Sequence, residues 1–308
     1  MRVLIVINLL SGFKNGMVFD FMRHFSQDGD ELVCRSTSGQ TGVEDLLTDA
    51  NQFDLVVAAG GDGTIATVCY QLRNTNIPIL PFPAGTGNLL TTNLDIPEEP
   101  ATLANIARNP DVVDFDLGEI RYEQGGQMVT RGFSVIAGVG YDADIMQASE
   151  AIKPVFGPVS YMVAALSRLN PRYSHFRIQL DDRTVEEDGI AVLLLNFAKI
   201  NAGVPIIHDN NARDGKLEVV VLRSHNAVEL IPVLFAAFMD RSGEFPGRLD
   251  ALTTYLTRTV SVSSEPPLHL QHDGETPDAS TPIYGSSLPL ATRLALPQKS
   301  AKRFLGAG

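Results

Sequence analysis

The segment from Asp54 to Thr64 reads DLVVAAGGDGT, and it decides the fold. Asp54–Ala59 is continuously apolar after its first residue, as expected for a central parallel strand that is covered on both faces. Gly60–Thr64 follows at once, and a helix is predicted from Thr64 to Arg73. Glycines in a strand-to-helix turn let backbone N–H groups approach a phosphate, and the helix N-terminus favours negative charge. The stretch therefore predicts an anion site, although a tight connection without a ligand would carry the same glycines.

Asp62 lies inside this turn and favours the first interpretation. A carboxylate beside a phosphate is electrostatically costly unless it binds Mg²⁺ or takes a proton from a nucleophile. The chain contains no GxxxxGK[ST] loop, so no P-loop lysine is available to bind the phosphates. Acidic residues are therefore expected to carry more of the phosphate chemistry than in a P-loop protein.

Strands and helices alternate around this stretch. The alternation βαβα predicts a doubly wound α/β domain over residues 1–118. The further predicted strands are Val3–Asn8, Glu31–Arg35 and Ile77–Phe82, and the further predicted helices are Phe19–Gln27, Val43–Asn51 and Pro100–Arg108.

The pattern changes after Asp116 to short strands separated by turn signals, which predicts a mostly antiparallel, β-sandwich-like domain over residues 119–297. The clearest strands are Arg177–Leu180, Ile190–Asn196 and Leu217–Leu222, and the clearest turn signals are Gly125-Gly126, Asp181-Asp182 and Asp214-Gly215. Two helices are predicted near 157–169 and 227–240. The polar tail, residues 298–308, is expected to pack back on the first domain.

Composition limits the classes of partner. Apolar residues make up 44% and charged residues 19% of the 308 residues, which are globular proportions. The formal net charge of −12 argues against nucleic acid, because phosphate backbones are held by surplus Lys and Arg. The two cysteines, Cys34 and Cys69, match no metal-ligand spacing and are expected to be buried thiols in a reducing compartment, which favours the cytoplasm.

Neither of two apolar stretches predicts a membrane span. The opening MRVLIVINLL resembles a short signal peptide, but it lacks an Ala-x-Ala pattern and a buried first strand explains it better. Leu230–Met239 falls well short of the ~20 residues that a span requires. That stretch is interpreted as a buried helix, with a lipid-entry wall as the alternative.

The motifs together resemble those of the superfamily of diacylglycerol, sphingosine and NAD kinases. Its hallmark is the pentapeptide Gly60–Thr64, and Pro83–Asn88 (PAGTGN) is similar to an element of the lipid kinases. Four further segments match in the family's order: Asn8–Gly12 (with Leu9 where Pro is usual), Gly138–Ala143, Arg213–Leu217 and Asp273–Glu275. Two positions depart from the pattern, since Ile65-Ala66-Thr67 stands for Leu-Asn-Glu and Leu89 stands for Asp.

The resemblance implies an NAD kinase-like first domain and an ATP-dependent, Mg²⁺-requiring lipid kinase. Its expected substrate is diacylglycerol or a similar lipid alcohol at a membrane surface, with the protein cytoplasmic or peripheral at the inner membrane face. The alternatives are an NAD kinase-like phosphotransferase and a non-catalytic module that binds nucleotide or lipid. The oligomeric state stays open, with a homodimer as one possibility.

The resemblance also implies roles for individual residues. Asp62 and Asp116 are expected near Mg²⁺ and the transferred phosphate, with Glu275 as the proton acceptor. A structural Mg²⁺ is expected at Asn211, Asp214 and the backbone carbonyl of Lys216, since a lysine side chain cannot ligate Mg²⁺. The residues expected around ATP are Asn8, Ser11, Gly12, Thr37, Gly60, Gly61, Asp62, Gly63, Thr64, Ile65, Ala66, Gly85, Thr86 and Asn88.

Each carboxylate outside the glycine turn also has a simpler interpretation. Asp116 would be a solvated carboxylate near a domain hinge. Glu275 would belong to an ordinary hairpin turn, because Asp-Gly marks such turns well, and Asp214-Gly215 would be a turn of the same kind. No pair of histidines has zinc-ligand spacing, and His272 is expected to be a solvent-facing strand residue.

Overall fold

The protein divides into two compact units. The computed structural model describes residues 1–9, 16–38, 40–140, 172–200, 204–205, 210–223 and 252–306. The first unit is Met1–Leu117 together with Pro289–Gly308, and the second is Gly118–Leu288. The first unit thus includes residues 289–297, which the sequence-based division assigns to the second domain.

A parallel sheet forms the centre of the first unit. Its strands are β1 (Arg2–Ile7), β2 (Glu31–Ser36), β3 (Leu55–Gly60), β4 (Ile79–Pro83) and the C-terminal end of β17 (Ile283–Leu296). The order is β2-β1-β3-β4-β17, and all these neighbours pair in parallel. Every residue of β3 and β4 is buried, as the apolar run before the glycine turn predicts. Cys69 is buried as expected, whereas Cys34 is exposed because it lies on the edge strand β2.

Helices connect these strands. The described helices are α1 (Gly16–Phe25), α2 (Val43–Leu46), α3 (Asp62–Gln71), α4 (Leu89–Asn93), α5 (Pro100–Arg108) and α6 (Gln298–Leu305). The single helix predicted over Val43–Asn51 is wrong, because α2 ends early and a short 3₁₀ turn, Ala50–Gln52, follows it. Asp49 begins that turn and pairs with Arg35 of β2.

The C-terminal segment belongs to the core of the first unit. The helix α6 covers most of the segment that the sequence describes as a polar tail. The Phe304 ring packs edge-on against Phe115, with the ring centroids 4.8 Å apart. Arg303 pairs with Asp95 and donates a hydrogen bond of 2.6 Å to the carbonyl of Asn93.

The second unit is built from antiparallel strands. They are β5 (Asp111–Gln124, which begins in the first unit), β6 (Gln127–Phe133), β7 (Ile136–Val139), β8 (Ser174–Gln179), β9 (Thr184–Gly189), β10 (Ala191–Leu195), β11 (Lys199–Ile200), β12 (Val204–Pro205), β13 (Leu217–Leu222), β14 (Leu252–Thr257), β15 (Thr259–Glu265) and β16 (Leu270–His272). One sheet has the order β14-β13-β10-β7-β16. The strands β15, β8 and β9 pair in sequence, and β5 pairs with β6.

Alternating side chains give the second unit its core. Val192 and Leu194 of β10 face a cluster that also contains Phe176 of β8 and Val262 of β15. The intervening residues of β10 are buried in a separate cluster on the other side of the strand. One core thus receives side chains from both groups of strands, which is the sandwich arrangement that the short alternating strands predict.

Turn signals of the sequence fall at the ends of strands. Gly125 and Gly126 have positive φ angles of 60° and 79° and connect β5 to β6. The Asp181-Asp182 turn connects β8 to β9. The helices predicted near 157–169 and 227–240, and with them Leu230–Met239, lie outside the described residues. No helix in the described part of the chain has the length and apolarity needed to span a bilayer.

Candidate functional site

Two glycine turns touch at the carboxyl ends of β3 and β4. A Cβ built on Gly85 would lie 2.4 Å from the Cα of Gly61, so this approach requires glycine at position 85. Gly61 also precedes α3, whose N-terminus has no side-chain cap. The start of α3 therefore lies, without a side-chain cap from Gly61, where the sequence predicts an anion site.

The carboxylate of Asp62 joins these two turns. Its oxygens accept hydrogen bonds from the backbone N–H groups of Leu89 and Leu90, each 2.9 Å long, at the start of α4. Asp62 is buried, and burial raises the pKa of its carboxyl against the opposing effect of these two hydrogen bonds. The sequence analysis missed this role, because it predicts no helix between Ile77–Phe82 and Pro100–Arg108 and nothing local marks the N–H groups of α4.

Asn88 holds the second glycine turn closed. Its Oδ1 accepts a hydrogen bond of 3.0 Å from the N–H of Gly85, and its Nδ2 donates one of 2.9 Å to the carbonyl of the same residue. Asn88 has a left-handed φ of 51°, which asparagine tolerates better than most residues. Its buried side chain fixes the turn, and the exposed Thr86 lies at the tip.

Asn8 connects three of the predicted nucleotide residues. Its Nδ2 donates a hydrogen bond of 2.9 Å to the Thr64 hydroxyl, and its Oδ1 accepts one of 3.1 Å from the Thr37 hydroxyl. These residues follow β1 and β2 and begin α3, so the parallel sheet brings them to one edge. Two other predicted residues, Ser11 and Gly12, lie outside the described residues.

At the positions that differ from the family pattern, Ile65–Thr67 and Leu89, the side chains are buried or hydrogen-bonded within the protein. Ile65 and Ala66 are 0% and 1% exposed, so only their backbone could face a nucleotide. The Thr67 hydroxyl donates a hydrogen bond of 2.8 Å to the carbonyl of Gly63 one turn earlier. Leu89 is buried and contributes its N–H group to Asp62.

Asp116 is buried inside β5. It is 1% exposed, and its Oδ1 accepts a hydrogen bond of 2.7 Å from the N–H of Leu290, a residue with a positive φ of 48°. The interpretation of Asp116 as a solvated carboxylate is therefore wrong. The strand continues through it because its carboxylate receives an N–H group from the C-terminal segment of the same unit.

The late Asp-Gly-Glu element forms a tight hairpin turn, as its simpler interpretation states. His272 and Glu275 exchange backbone hydrogen bonds of 3.0 and 2.8 Å. Asp273 and Gly274 between them have φ angles of 42° and 85°, which are typical of a two-residue type I′ turn. The turn leaves the Glu275 side chain exposed.

Asp273 anchors this turn to the loop between β6 and β7. Its carboxylate accepts hydrogen bonds of 3.0 Å from the backbone N–H groups of Val135 and Ile136, and others from the backbone and hydroxyl of Ser134. Asp273 is 5% exposed. Sequence reasoning missed this residue, because Asp-Gly signals only the turn and the partner loop is far along the chain.

His272 is buried, so the expectation of a solvent-facing residue is wrong. It is 4% exposed, and its ring centroid lies 6.2 Å from that of Tyr122. Burial, together with the charge of Arg131, lowers the pKa of His272 to about 4. The imidazole is therefore neutral at physiological pH.

The predicted structural metal position is a pair of tight turns. Asn211 Oδ1 accepts the N–H of Arg213 at 3.1 Å, and Asp214 Oδ1 accepts the N–H of Lys216 at 3.0 Å. Within the described ranges, no three His, Cys, Asp or Glu side chains come together as metal ligands. One carboxylate, one amide and a backbone carbonyl suit a hard cation that keeps several waters, so the donor set fits Mg²⁺ without requiring it.

The architecture of the two units defines a class. A doubly wound parallel sheet with paired glycine turns, followed in the chain by an antiparallel sandwich, is the NAD kinase-like fold. The solved NAD kinase from Archaeoglobus fulgidus, in complex with ATP, is similar over 99% of this chain and 98% of its own, with a TM-score of 0.51 at 14% identity. A putative diacylglycerol kinase from Bacillus anthracis covers 97% of this chain and 98% of its own, with a TM-score of 0.73 at 18% identity.

Family models cover both parts of the chain. The diacylglycerol kinase catalytic domain matches residues 2–120, and the YegS C-terminal NAD kinase beta sandwich-like domain matches residues 134–296. The chain belongs to the diacylglycerol kinase catalytic-domain family of lipid kinases.

Curated relatives have similar names. The diacylglycerol kinase of Mycobacterium tuberculosis is 28% identical over 81% of this chain and 79% of its own length. That of Bacillus subtilis is 27% identical over 94% and 91%. A probable lipid kinase YegS-like protein of Alcanivorax borkumensis is 25% identical over 88% of both chains.

Proposed function

We propose that the protein transfers the γ-phosphoryl group of ATP to the hydroxyl of diacylglycerol or a similar lipid alcohol. The observation that carries this proposal is the contact between the Gly61 and Gly85 turns at the uncapped N-terminus of α3. Backbone N–H groups at such a point bind phosphate without any lysine. Asn8, Thr37 and Thr64 form a polar edge beside it that suits the rest of a nucleotide.

Mg²⁺ fits beside Asp62. A Cβ on the exposed Gly87 would lie 3.3 Å from Asp62 Oδ2, so the glycine leaves space next to this oxygen. The Asp62 carboxylate accepts N–H groups from Leu89, Leu90 and its own backbone, and because a carboxylate has about four lone-pair sites, one remains for a cation. Asp62 and Asp116 are the carboxylates proposed to hold the ion. When bound, Mg²⁺ supplies positive charge against the charge of the phosphate oxygens.

The remaining steps belong to residues of the chain. The glycine turns orient the phosphates, and the buried Asp62 keeps the two turns in register. We propose that Glu275 accepts the proton of the lipid hydroxyl as the oxygen attacks the phosphorus and the bond to ADP breaks. Its carboxylate is exposed and follows directly after a tight two-residue turn, which supports that role.

A transfer assay tests the proposal. Radiolabelled ATP and Mg²⁺ would be supplied with diacylglycerol, a sphingoid base and a monoacylglycerol in mixed micelles, and separately with NAD. The expected result is a labelled lipid phosphate and no labelled NADP. Glu275→Gln should lower turnover at least about 10² while ATP binding is retained.

Other outcomes would support the alternative functions. Labelled NADP would favour an NAD kinase-like activity. Bound ATP without any labelled product would favour a non-catalytic module, for which the structural use of Thr67 and Leu89 provides a reason. Near-normal transfer by Glu275→Gln would remove Glu275 from the base role and leave it as a turn residue.

A further inference from the structure

The side chain of Glu275 lies on the same face of its hairpin as the buried His272. His272 and Glu275 are directly paired across their hairpin, and paired residues of antiparallel strands point to the same face. The His272 ring packs against Tyr122, with 6.2 Å between the ring centroids. The side chain of Glu275 therefore leaves the turn on the side where Tyr122 lies.

Arg131 lies on the same face as Tyr122. In the β5–β6 hairpin, Tyr122 pairs with Val129, and Arg131 is two residues further along β6. Residues two apart on a strand share a face, and such diagonal neighbours are within reach of long side chains. Tyr122 is buried, whereas Arg131 and Glu275 are both exposed.

The charges of Arg131 and Glu275 affect the pKa values of the buried rings. The pKa of Tyr122 is raised by burial, lowered by Arg131 and raised again by Glu275, so the phenol lies within reach of both charges. Arg131 also contributes to the lowered pKa of His272. The two exposed, oppositely charged groups thus flank a pair of buried rings in one unit.

We propose that Arg131 is a positioning residue for Glu275, which it keeps ionised and oriented across the Tyr122 and His272 rings. The inference rests on the proposed function, in which Glu275 is the proton acceptor. Opposite charge stabilises an ionised carboxylate, and water partly screens the attraction because both groups are exposed. A carboxylate must be ionised to accept a proton, so the effect extends activity to lower pH.

Two other titratable groups near the turn, His272 and Tyr122, keep the same protonation state between pH 5 and 8. His272 stays neutral above a pH of about 4. Asp273 is committed to the loop from Ser134 to Ile136 by its four hydrogen bonds. Tyr122 has a raised pKa and stays protonated. Arg131 lies on the same face as Tyr122 and is the group whose positive charge is proposed to act on Glu275.

The test is the pH profile of kcat/KM for lipid phosphorylation by the full chain. Its acid limb reports the ionisation of the essential base in the free enzyme. Arg131→Gln should move that limb upward by at least roughly half a pH unit. The rate should return to near the wild-type value at high pH, and Arg131→Lys should restore the limb. Arg121→Gln is the matched control, since Arg121 lies on the opposite face of β5, over the Tyr284 ring.

Each result has one meaning. An unmoved limb in an active Arg131→Gln variant would overturn the inference and leave the lipid kinase proposal standing. A uniform loss at every pH would show a structural role and also overturn it, as would an equal shift in Arg121→Gln, which would indicate bulk charge. A wild-type protein without turnover on any lipid would overturn the proposed function, and the inference with it.

Discussion

At the scale of single residues, Asp62 combines an expected chemical role with a structural one, and the motif alone does not distinguish them. Its carboxylate is the group expected to serve phosphoryl transfer, and it is also the acceptor for the first N–H groups of α4. A change at Asp62 therefore alters the shape of the site as well as its charge. If a variant at Asp62 loses activity, its stability must also be measured, because either the lost charge or a distorted site could cause the loss.

Asp62→Asn should lower both stability and turnover. An amide offers one acceptor oxygen, so one of the two N–H groups of α4 would face an NH₂ donor in a buried place, at a cost of about 1–3 kcal/mol. Thermal melting and ATP binding, measured on the same preparation, check this. Asp54→Asn is the control, because Asp54 accepts a single N–H group, that of Arg2, in an exposed position. Equal melting points for the Asp62→Asn variant and the wild type would contradict the anchoring role.

His272 should make the protein sensitive to acid. Its folded pKa of about 4 lies below its ordinary value of 6.5, so the unfolded chain binds more protons between these values. The stability that depends on neutral His272 is complete above pH 6.5 and is lost as pH falls towards 4, by about 3 kcal/mol. His272→Gln should flatten the decline in melting temperature over this range. His24→Gln, at an exposed position, should follow the wild type, and parallel curves for all three proteins would exclude the effect.

Residues of the site differ in how far the sequence could predict them. Gly61 and Gly85 were identifiable because glycines directly after a buried strand mark a tight turn in the local sequence. The burial of Asp116 had no local signal, because its partner Leu290 is 174 residues away. His272 and Asp273 are buried for the same reason, since their partners lie on β5 and on the loop after β6. Position in the motif could be predicted, but the partner of each polar group could not.

At the scale of elements, prediction succeeded where the signal was local. The helix α5 has its predicted bounds, with Pro100 at its first turn, where proline is favoured. The strand β5 was missed because Asp114, Asp116 and Glu119 give Asp111–Gln124 a polar appearance. The helix α4 was missed because its five residues are held by Asp62 and Asn88 and not by their own propensity.

The helix α6 should contribute to the stability of the first unit. Phe304→Ala removes the ring that packs on the fully buried Phe115, and we expect a loss of about 2 kcal/mol. Leu305→Ala is the matched control, since Leu305 is 57% exposed and should change stability by less than about 0.5 kcal/mol. Denaturant unfolding measures both. Similar losses from the two variants would mean that α6 is not anchored through Phe304.

At the scale of the whole molecule, the first unit is assembled from two distant parts of the chain. The N–H of Leu290 binds Asp116, so the ends of Met1–Leu117 and Pro289–Gly308 meet. A protein in which a short Gly/Ser linker joins Leu117 to Pro289 should therefore fold cooperatively. The fragment 1–117 alone should not, because it leaves Phe115 and the edge of β4 uncovered. Circular dichroism and thermal melting compare them, and a cooperative transition in the short fragment would refute the requirement.

Because the first unit combines Met1–Leu117 with Pro289–Gly308, its two parts are synthesised at different times. A ribosome makes the buried strands β1, β3 and β4 early, and the strand that completes their sheet emerges last. At about 5–20 residues per second, synthesis of Gly118–Leu288 takes on the order of ten to thirty seconds, and the sheet of the first unit is incomplete for that time. During that interval the apolar edge of β4 is open to pairing with other chains. Yield in cells should therefore depend on chaperones that shield the nascent N-terminal half.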